Sequence, residues 1–329
     1  MTTIRILVTG GAGFIGSHHV RTLLGPDGPG NVAVTVLDAL TYAGNPANLD
    51  EVRDHPGFSF VHGDICDAEL VGRLMAGHDQ VVHFAAESHV DRSIDGGAAF
   101  VRTNVVGTHT LVNAAHEAGV GTFVHVSTDE VYGSVDEGSW TEREPLAPNS
   151  PYSASKASSD LIALAYHRTH GLDVRVTRCS NNYGHHHFPE KVIPLFVTNL
   201  LEGRPVPLYG DGAHVRDWLH IDDHVQGIEL VRTQGRPGEV YNIGGGTELS
   251  NKELTRLLLE ACDADWDTDV VHVEDRKGHD RRYSVDCAKI REELGYAPRK
   301  DFRTGLAETV RWYRENRSWW EPLKERAAL

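Results

Sequence analysis

The sequence predicts an α/β protein built on a doubly wound parallel sheet. Two observations carry this. Short β-branched runs alternate with helix-like segments through the first half of the 329-residue chain, and a glycine-rich turn follows the first run directly. Strand–helix alternation of this kind implies parallel strands covered on both faces.

The predicted strands are 4–10, 32–38, 58–64, 80–86, 122–128 and 173–179, each compact, apolar and bounded by Gly, Asp or turn residues. Helical periodicity covers 14–24, 67–76, 98–118 and 152–170. After Cys179 the pattern changes. Residues 180–218 are rich in Asn, His, Pro and Gly, with a helix predicted around 191–202. The segment 239–245 reads as a further strand of the sheet. Ser250 with Glu253 forms a capping-box signature for a helix over 250–262, and a last helix is expected over 303–316. The expected organisation is a dinucleotide-binding domain from 1–179 plus about 219–246. A smaller, partly interleaved C-terminal α/β lobe takes 180–218 plus 247–329.

Composition narrows the class. The chain is 40% hydrophobic and 24% charged, ordinary for a globular protein, with a net charge of −15 that disfavours nucleic acid as a partner. No apolar run is long enough to span a membrane and the N-terminus has no signal-peptide layout, so a cytoplasmic location without membrane partners is expected. Cys66, Cys179, Cys262 and Cys287 are scattered, which suits reduced thiols. The triplet His185–His187 invites a metal reading, but successive residues point in different directions. A loop facing solvent or substrate is expected instead, and no metal.

The segment VTGGAGFIGS places Gly10, Gly13 and Gly16 between a strand and a helix. Glycines there permit a tight turn and a close approach of backbone to a pyrophosphate, as in a Rossmann-like domain. Asp38 ends the second strand, 22 residues past Gly16. An acid there accepts hydrogen bonds from ribose hydroxyls and repels a 2′-phosphate, which favours NAD over NADP. Asp64 ends the third strand, near where an adenine edge would lie. Small residues end the fourth, in FAAESH.

Tyr152 and Lys156 lie four apart on a predicted helix and share a face. A free tyrosine has a pKa of about 10. A nearby ammonium and a positively charged nicotinamide would both favour the phenolate, which could take a proton from an alcohol as hydride leaves its carbon. Asp129 and Glu130 stand side by side just after the fifth strand. If the alcohol were carbon 4 of a hexose, its oxidation would make the hydrogen on carbon 5 acidic. Loss of the 6-hydroxyl then needs a base and an acid close together. Two adjacent carboxyls meet that need, because the closeness of like charges raises one of the two pKa values.

With these motifs the chain resembles the extended short-chain dehydrogenase/reductase family over essentially its whole length. STDEVYG, AAESHVDRSI, PYSASKA, RCSNNYGHHHFPEK, RDWLHIDDH and HDRRY look like the dTDP-glucose 4,6-dehydratases within it. The resemblance implies NAD-dependent conversion of dTDP-glucose to dTDP-4-keto-6-deoxyglucose. It assigns Thr128 to orienting the reacting hydroxyl, Tyr152 to the base, Lys156 to the nicotinamide ribose, Asp129 to the acid and Glu130 to the carbon 5 base. Expected cofactor contacts are Gly10, Gly13, Phe14, Ile15, Gly16, Asp38, Asp64, Ile65, Ala85, Ala86, Ser88 and Thr103, with Tyr152, Lys156 and Asn182 at the reacting end. Expected substrate contacts are Ser88, Thr128, Asn182, Lys191, Arg216, Asn251, Arg276, His279 and Tyr283. Arg281 and Arg282 are further candidates for the diphosphate, at least one of Arg276, Arg281 and Arg282 being expected only to form a salt bridge. Lys277 stands where the family often has Pro. The resemblance also implies a homodimer formed through the helices at 98–118 and 152–170. The alternative is another nucleotide-sugar dehydratase or a 4-epimerase acting on a UDP- or GDP-sugar. An epimerase has no use for the acid pair.

Overall fold

The computed structural model describes residues 2–327. Its strands are β1 (Ile4–Thr9), β2 (Val32–Asp38), β3 (Phe58–His62), β4 (Gln80–His83), β5 (Thr122–Thr128), β6 (Val174–Cys179), β7 (Asn181–Tyr183), β8 (Val206–Tyr209), β9 (Val215–His220), β10 (Val240–Ile243), β11 (Glu248–Ser250) and β12 (Val270–Val273). Seven of them form one sheet in the order β10-β6-β5-β4-β1-β2-β3. Every pairing in it is parallel. The order reverses between β1 and β4, and ligands of such sheets lie at that switch, beyond the carboxyl ends of the strands.

Alternation sends Ile6, Val8, Val34 and Val36 into one core layer and Leu7, Val81 and Phe123 into the other, each covered by helices. All seven residues of β5 and all six of β6 are buried. These two strands carry the chain into the site.

The expected elements are present, with instructive differences. Strands predicted over 58–64 and 80–86 stop at His62 and His83. The next residues leave the ladder and line the cleft described below. The helix predicted over 98–118 is interrupted. A π-helical segment, Val101–Gly107, separates Gly97–Phe100 from Thr108–Ala118. Asn104, within that segment, accepts from the Glu87 backbone N–H (2.9 Å). Its amide donates to the Glu87 carbonyl (3.0 Å) and to Ser155 Oγ (2.8 Å). The widened turn thus satisfies a loop at the cleft, a common use of π segments.

A second core gathers Tyr183, Ile193, Phe196, Trp218, Leu254, Leu258, Phe302, Val310, Tyr313 and Trp320 around the smaller sheets, β11-β9-β7 and β12-β8. The strands β7, β8, β9, β11 and β12 and the helices Ile221–Gln234, Ala288–Leu294 and Arg317–Ala327 were not among the predicted elements. Ile290, Leu294 and Tyr296 pack in the main-sheet core, although they fall within 247–329.

Candidate active site

The carboxyl ends of the main sheet and the second core face a single cleft of about 1200 Å³. At its nucleotide end, Gly10 takes φ +70°. A Cβ there would stand 2.5 Å from Ala85 N, and one on Gly16 only 2.3 Å from the Gly10 carbonyl oxygen. Neither position accepts a side chain. The helix Phe14–Leu24 begins behind Gly13 with no side-chain cap, so its first amides are free to meet an anion. Asp38 is buried with each oxygen holding one backbone N–H, from Leu40 (2.8 Å) and Ala12 (2.9 Å). Burial pushes this carboxyl up and the two bonds draw it back. Each oxygen keeps accepting capacity for a ribose hydroxyl. A glycine cradle, an uncapped helix start and an acid at the end of β2 suit the pyrophosphate and ribose of NAD.

At the reacting end, β5 closes on Thr128. Its hydroxyl accepts from Glu130 N (3.2 Å) and caps the single turn Asp129–Tyr132. That turn presents both acids to the cleft. Asp129 is 3% exposed, and its one side-chain hydrogen bond is a long one from Thr128 Oγ1 (3.3 Å). Asp129 Oδ2 and Glu130 Oε2 are enclosed without partners. Such orphaned buried atoms ask for an explanation, and a ligand supplies one.

The two acids are unequal. Burial, then Glu130 and Asp217, push Asp129 well above the ordinary carboxylate range, with Arg216 the main opposing charge. Burial also pushes Glu130 up, but Arg276, Lys191 and Arg216 all pull it back. Three cations thus favour the ionised form of Glu130, against the single Arg216 for Asp129.

Tyr152 and Lys156 lie near the start of the helix Pro151–His170, which opens with Ser150 as cap and Pro151 at its first position. Phe100 meets the Tyr152 ring edge-on at 6.2 Å. Burial pushes the phenol well up, followed by Glu130, and the opposing influence is a hydrogen bond with Thr128. Lys156 does not stand among the main influences on Tyr152. Its Nζ donates to the Val126 carbonyl (2.8 Å), while burial lowers the ammonium and Asp160 raises it. One of the three ammonium donors is thus engaged by the backbone of β5, which fixes the lysine beneath the cleft with donors left for a ligand.

The expected substrate residues converge with one exception. Ser88, Asn182, Lys191, Arg216, Asn251, Arg276 and His279 line the cleft, as do Thr128 and every expected cofactor contact. Lys191 Nζ donates to the Ser88 carbonyl. Tyr283 does not line it. Its ring lies under the Arg216 guanidinium (4.2 Å) and its hydroxyl donates to Asp280 (2.6 Å), so it supports the arginine from behind. Arg281 pairs with Asp211 (3.2 Å) and Arg282 with both oxygens of Glu248 (2.7 and 2.8 Å). This leaves Arg276 as the member of its cluster facing the cleft.

The sequence reading missed Arg92, which bridges Glu190 (2.8 Å) and the Tyr42 ring (4.0 Å) at the cleft wall. Both charges lay inside quoted motifs, yet nothing in their spacing pairs them. The histidine triplet lies in a loop, as expected, and its three rings go separate ways. His187 stacks on Phe14 (4.1 Å) in the cleft, His186 packs on Trp312 (4.4 Å), and His185 joins His18 and Asp222. Arg21 donates to His18 Nδ1 (3.3 Å) and Lys300 stands 3.6 Å from Asp222. Two cations brace that last cluster as a hydrogen-bonded group.

The family profile described as GDP-mannose 4,6 dehydratase matches residues 7–309. A dTDP-glucose 4,6-dehydratase from Streptomyces griseus is 68% identical over 327 residues, covering 99% of both chains. A crystal structure of a dTDP-glucose 4,6-dehydratase from Streptomyces venezuelae, with NAD bound, is 65% identical. It superposes with a TM-score of 0.95 over 97% of this chain and 100% of that one. A dTDP-glucose 4,6-dehydratase from Bacillus anthracis in complex with NAD is 48% identical, with a TM-score of 0.90 over 98% and 100% of the two chains.

Proposed function

This chain belongs to the dTDP-glucose 4,6-dehydratase family, and on that premise we propose how its residues turn dTDP-glucose into dTDP-4-keto-6-deoxyglucose. The observation that carries the reading is the unequal acid pair Asp129–Glu130 beside Tyr152 in one cleft. Bound NAD supplies the acceptor for hydride from carbon 4 and its return to carbon 6. Tyr152 removes the proton of the 4-hydroxyl, which Thr128 orients. Lys156 holds the nicotinamide ribose. The positive charge of the oxidised cofactor and the Lys156 ammonium together offset the upward push on the phenol.

The carbon 4 ketone then acidifies carbon 5. Glu130, drawn toward ionisation by Arg276 and Lys191, takes that proton. Asp129, which keeps its own proton, gives it to the departing 6-hydroxyl. The carbon 6–oxygen bond breaks and water leaves; as hydride is restored to carbon 6, Glu130 gives a solvent-exchangeable proton back to carbon 5. The NAD contacts are those expected from the sequence. Lys191, Arg216, Asn251, Arg276 and His279 hold the nucleotide diphosphate and sugar, with Tyr283 acting through Arg216.

The main sheet with 1–179 and about 219–246 serves the dinucleotide, and 180–218 with 247–329 the nucleotide sugar, apart from the Ala288–Leu294 helix packed on the sheet side. A homodimer is part of this proposal. Val101, Val106 and Leu161 are about half exposed (53%, 49% and 58%) on the two helical segments through which pairing was expected. A reducing, cytoplasmic location accords with four free thiols. No helix among the described residues is long and apolar enough to cross a membrane.

The test is incubation with dTDP-glucose and UDP-glucose, followed by mass spectrometry of the products. Loss of one water from dTDP-glucose, without net change in cofactor redox state, is expected. Unchanged mass with inversion at carbon 4 would overturn the reading.

A further inference from the structure

Beneath the cleft lies a polar chain that the reaction does not itself use. Asp160 is fully buried, four residues past Lys156 on the same helix. Its Oδ2 accepts from Arg178 Nε (2.9 Å), and its Oδ1 lies 3.2 Å from His125 Nε2. Arg178, on β6, lies over the Tyr132 ring (4.7 Å) and donates from Nη1 to the Tyr132 hydroxyl (2.8 Å). That hydroxyl donates in turn to Asn242 Oδ1 on β10 (2.9 Å), and Asn242 Nδ2 donates to the Trp140 carbonyl (2.9 Å). Tyr132 is 1% exposed and closes the one-turn helix that holds Asp129 and Glu130.

The chain therefore joins the two halves of the chemistry. One end stands one turn from Lys156, on the helix of Tyr152. The other is two residues from Glu130. We propose that Asp160, Arg178 and Tyr132 are positioning residues that fix the acid–base turn relative to the Tyr152–Lys156 helix. An apolar core would resist collapse, but it would leave the angle of the turn less determined. Each bond here has a direction, and the Tyr132 hydroxyl is held as acceptor and donor at once. Arg178 is opposite Ser127 in the β5–β6 register, directly before Thr128, so its reach to Tyr132 spans the base of the turn. The ionic end is well formed. Burial pushes the Asp160 carboxyl up, but Arg178 and then His125 outweigh it and hold it down at about 2. A rigid second layer of this kind is what the placement of reacting groups to within a fraction of an ångström demands.

This inference rests on the dehydratase reading. Wild-type conversion of dTDP-glucose tests that reading by itself, so the two can fail separately. The experiment is single turnover of Tyr132→Phe, which deletes one hydroxyl and keeps the ring. Oxidation is followed by the absorbance of reduced nicotinamide, and water loss by quenched-flow mass spectrometry. KM and the melting temperature are measured alongside. Elimination is expected to slow by on the order of tenfold or more. Oxidation and KM should stay within about twofold, so reduced nicotinamide accumulates. Arg178→Lys keeps a cation facing Asp160 without the forked donor to Tyr132, and the same split is expected. Unchanged elimination, or equal slowing of both steps, would overturn the proposal, since general loosening has no reason to spare oxidation.

Discussion

Asp129 and Asp160 are both buried aspartates beside β5, 3% and 0% exposed, yet their electrostatics are opposite. Asp160 accepts from Arg178 and lies 3.2 Å from His125, and although its Oδ1 too has no hydrogen-bond partner, the guanidinium holds its carboxyl down at about 2. Asp129 has one weak bond from Thr128, an orphaned oxygen and Glu130 for a neighbour, and is pushed well above the usual range. Burial is common to both, so partners decide. The paired acid serves the fold. The unpaired one stores a cost that only a reaction explains.

The comparison breaks most sharply at the chemistry. Asp129→Asn and Glu130→Gln should each lower kcat by roughly 10²–10⁴-fold, with NAD affinity nearly unchanged, as read by steady-state kinetics and cofactor titration. The parent's pH–rate profile should be bell-shaped. Activity falls on the acid side as Glu130 takes a proton and on the alkaline side as Asp129 loses one, both limbs displaced upward from ordinary carboxylates. Tight coupling makes the two limbs properties of the pair.

The opposite outcome is expected at the other aspartate. Asp160→Ala strands Arg178 inside the fold and should cost about 3–5 kcal/mol in urea titration. Acid unfolding sharpens this point. The folded carboxyl lies below its unfolded value, so its contribution is full above that value. It is lost as pH falls from about 4 to about 2, amounting to ~2 kcal/mol. Asp129 has the reverse sign. Its folded value is raised, so folding at neutral pH must protonate or desolvate a carboxylate that is ionised in the unfolded chain. Asp129→Asn escapes that cost. It should melt higher than the parent, by on the order of 2 °C, while losing activity.

Much of this was legible in the sequence, for physical reasons. The six long strands and the glycine turn announce themselves through apolar runs and backbone geometry that few residues permit. Asp38, Tyr152, Asp129 and Glu130 follow because a strand end or helix spacing fixes where they point. The second lobe did not announce itself. β9 buries Arg216, Asp217 and His220 within six residues, so no apolar alternation marks it as a strand. Pro322 obscures the helix Arg317–Ala327. Tyr283 sits in a motif rich in candidate ligands, but its facing Arg216 rather than the cleft is a tertiary fact. So is the turn of Lys156 toward Val126, since spacing places a residue on a face without choosing its hydrogen-bond partner. Nothing in the spacing singles out Asp160, and only its packing beside Arg178 and His125 makes it a buried anchor.

The division of labour between the two adjacent acids is tested most directly by turnover of dTDP-glucose in heavy water, with the product examined at carbon 5 by NMR. The wild-type product should carry solvent deuterium there. Glu130→Gln should form carbon 5-deuterated product far more slowly, although carbon 4 is still oxidised. Product without deuterium at carbon 5, or wild-type exchange in Glu130→Gln, would contradict the account.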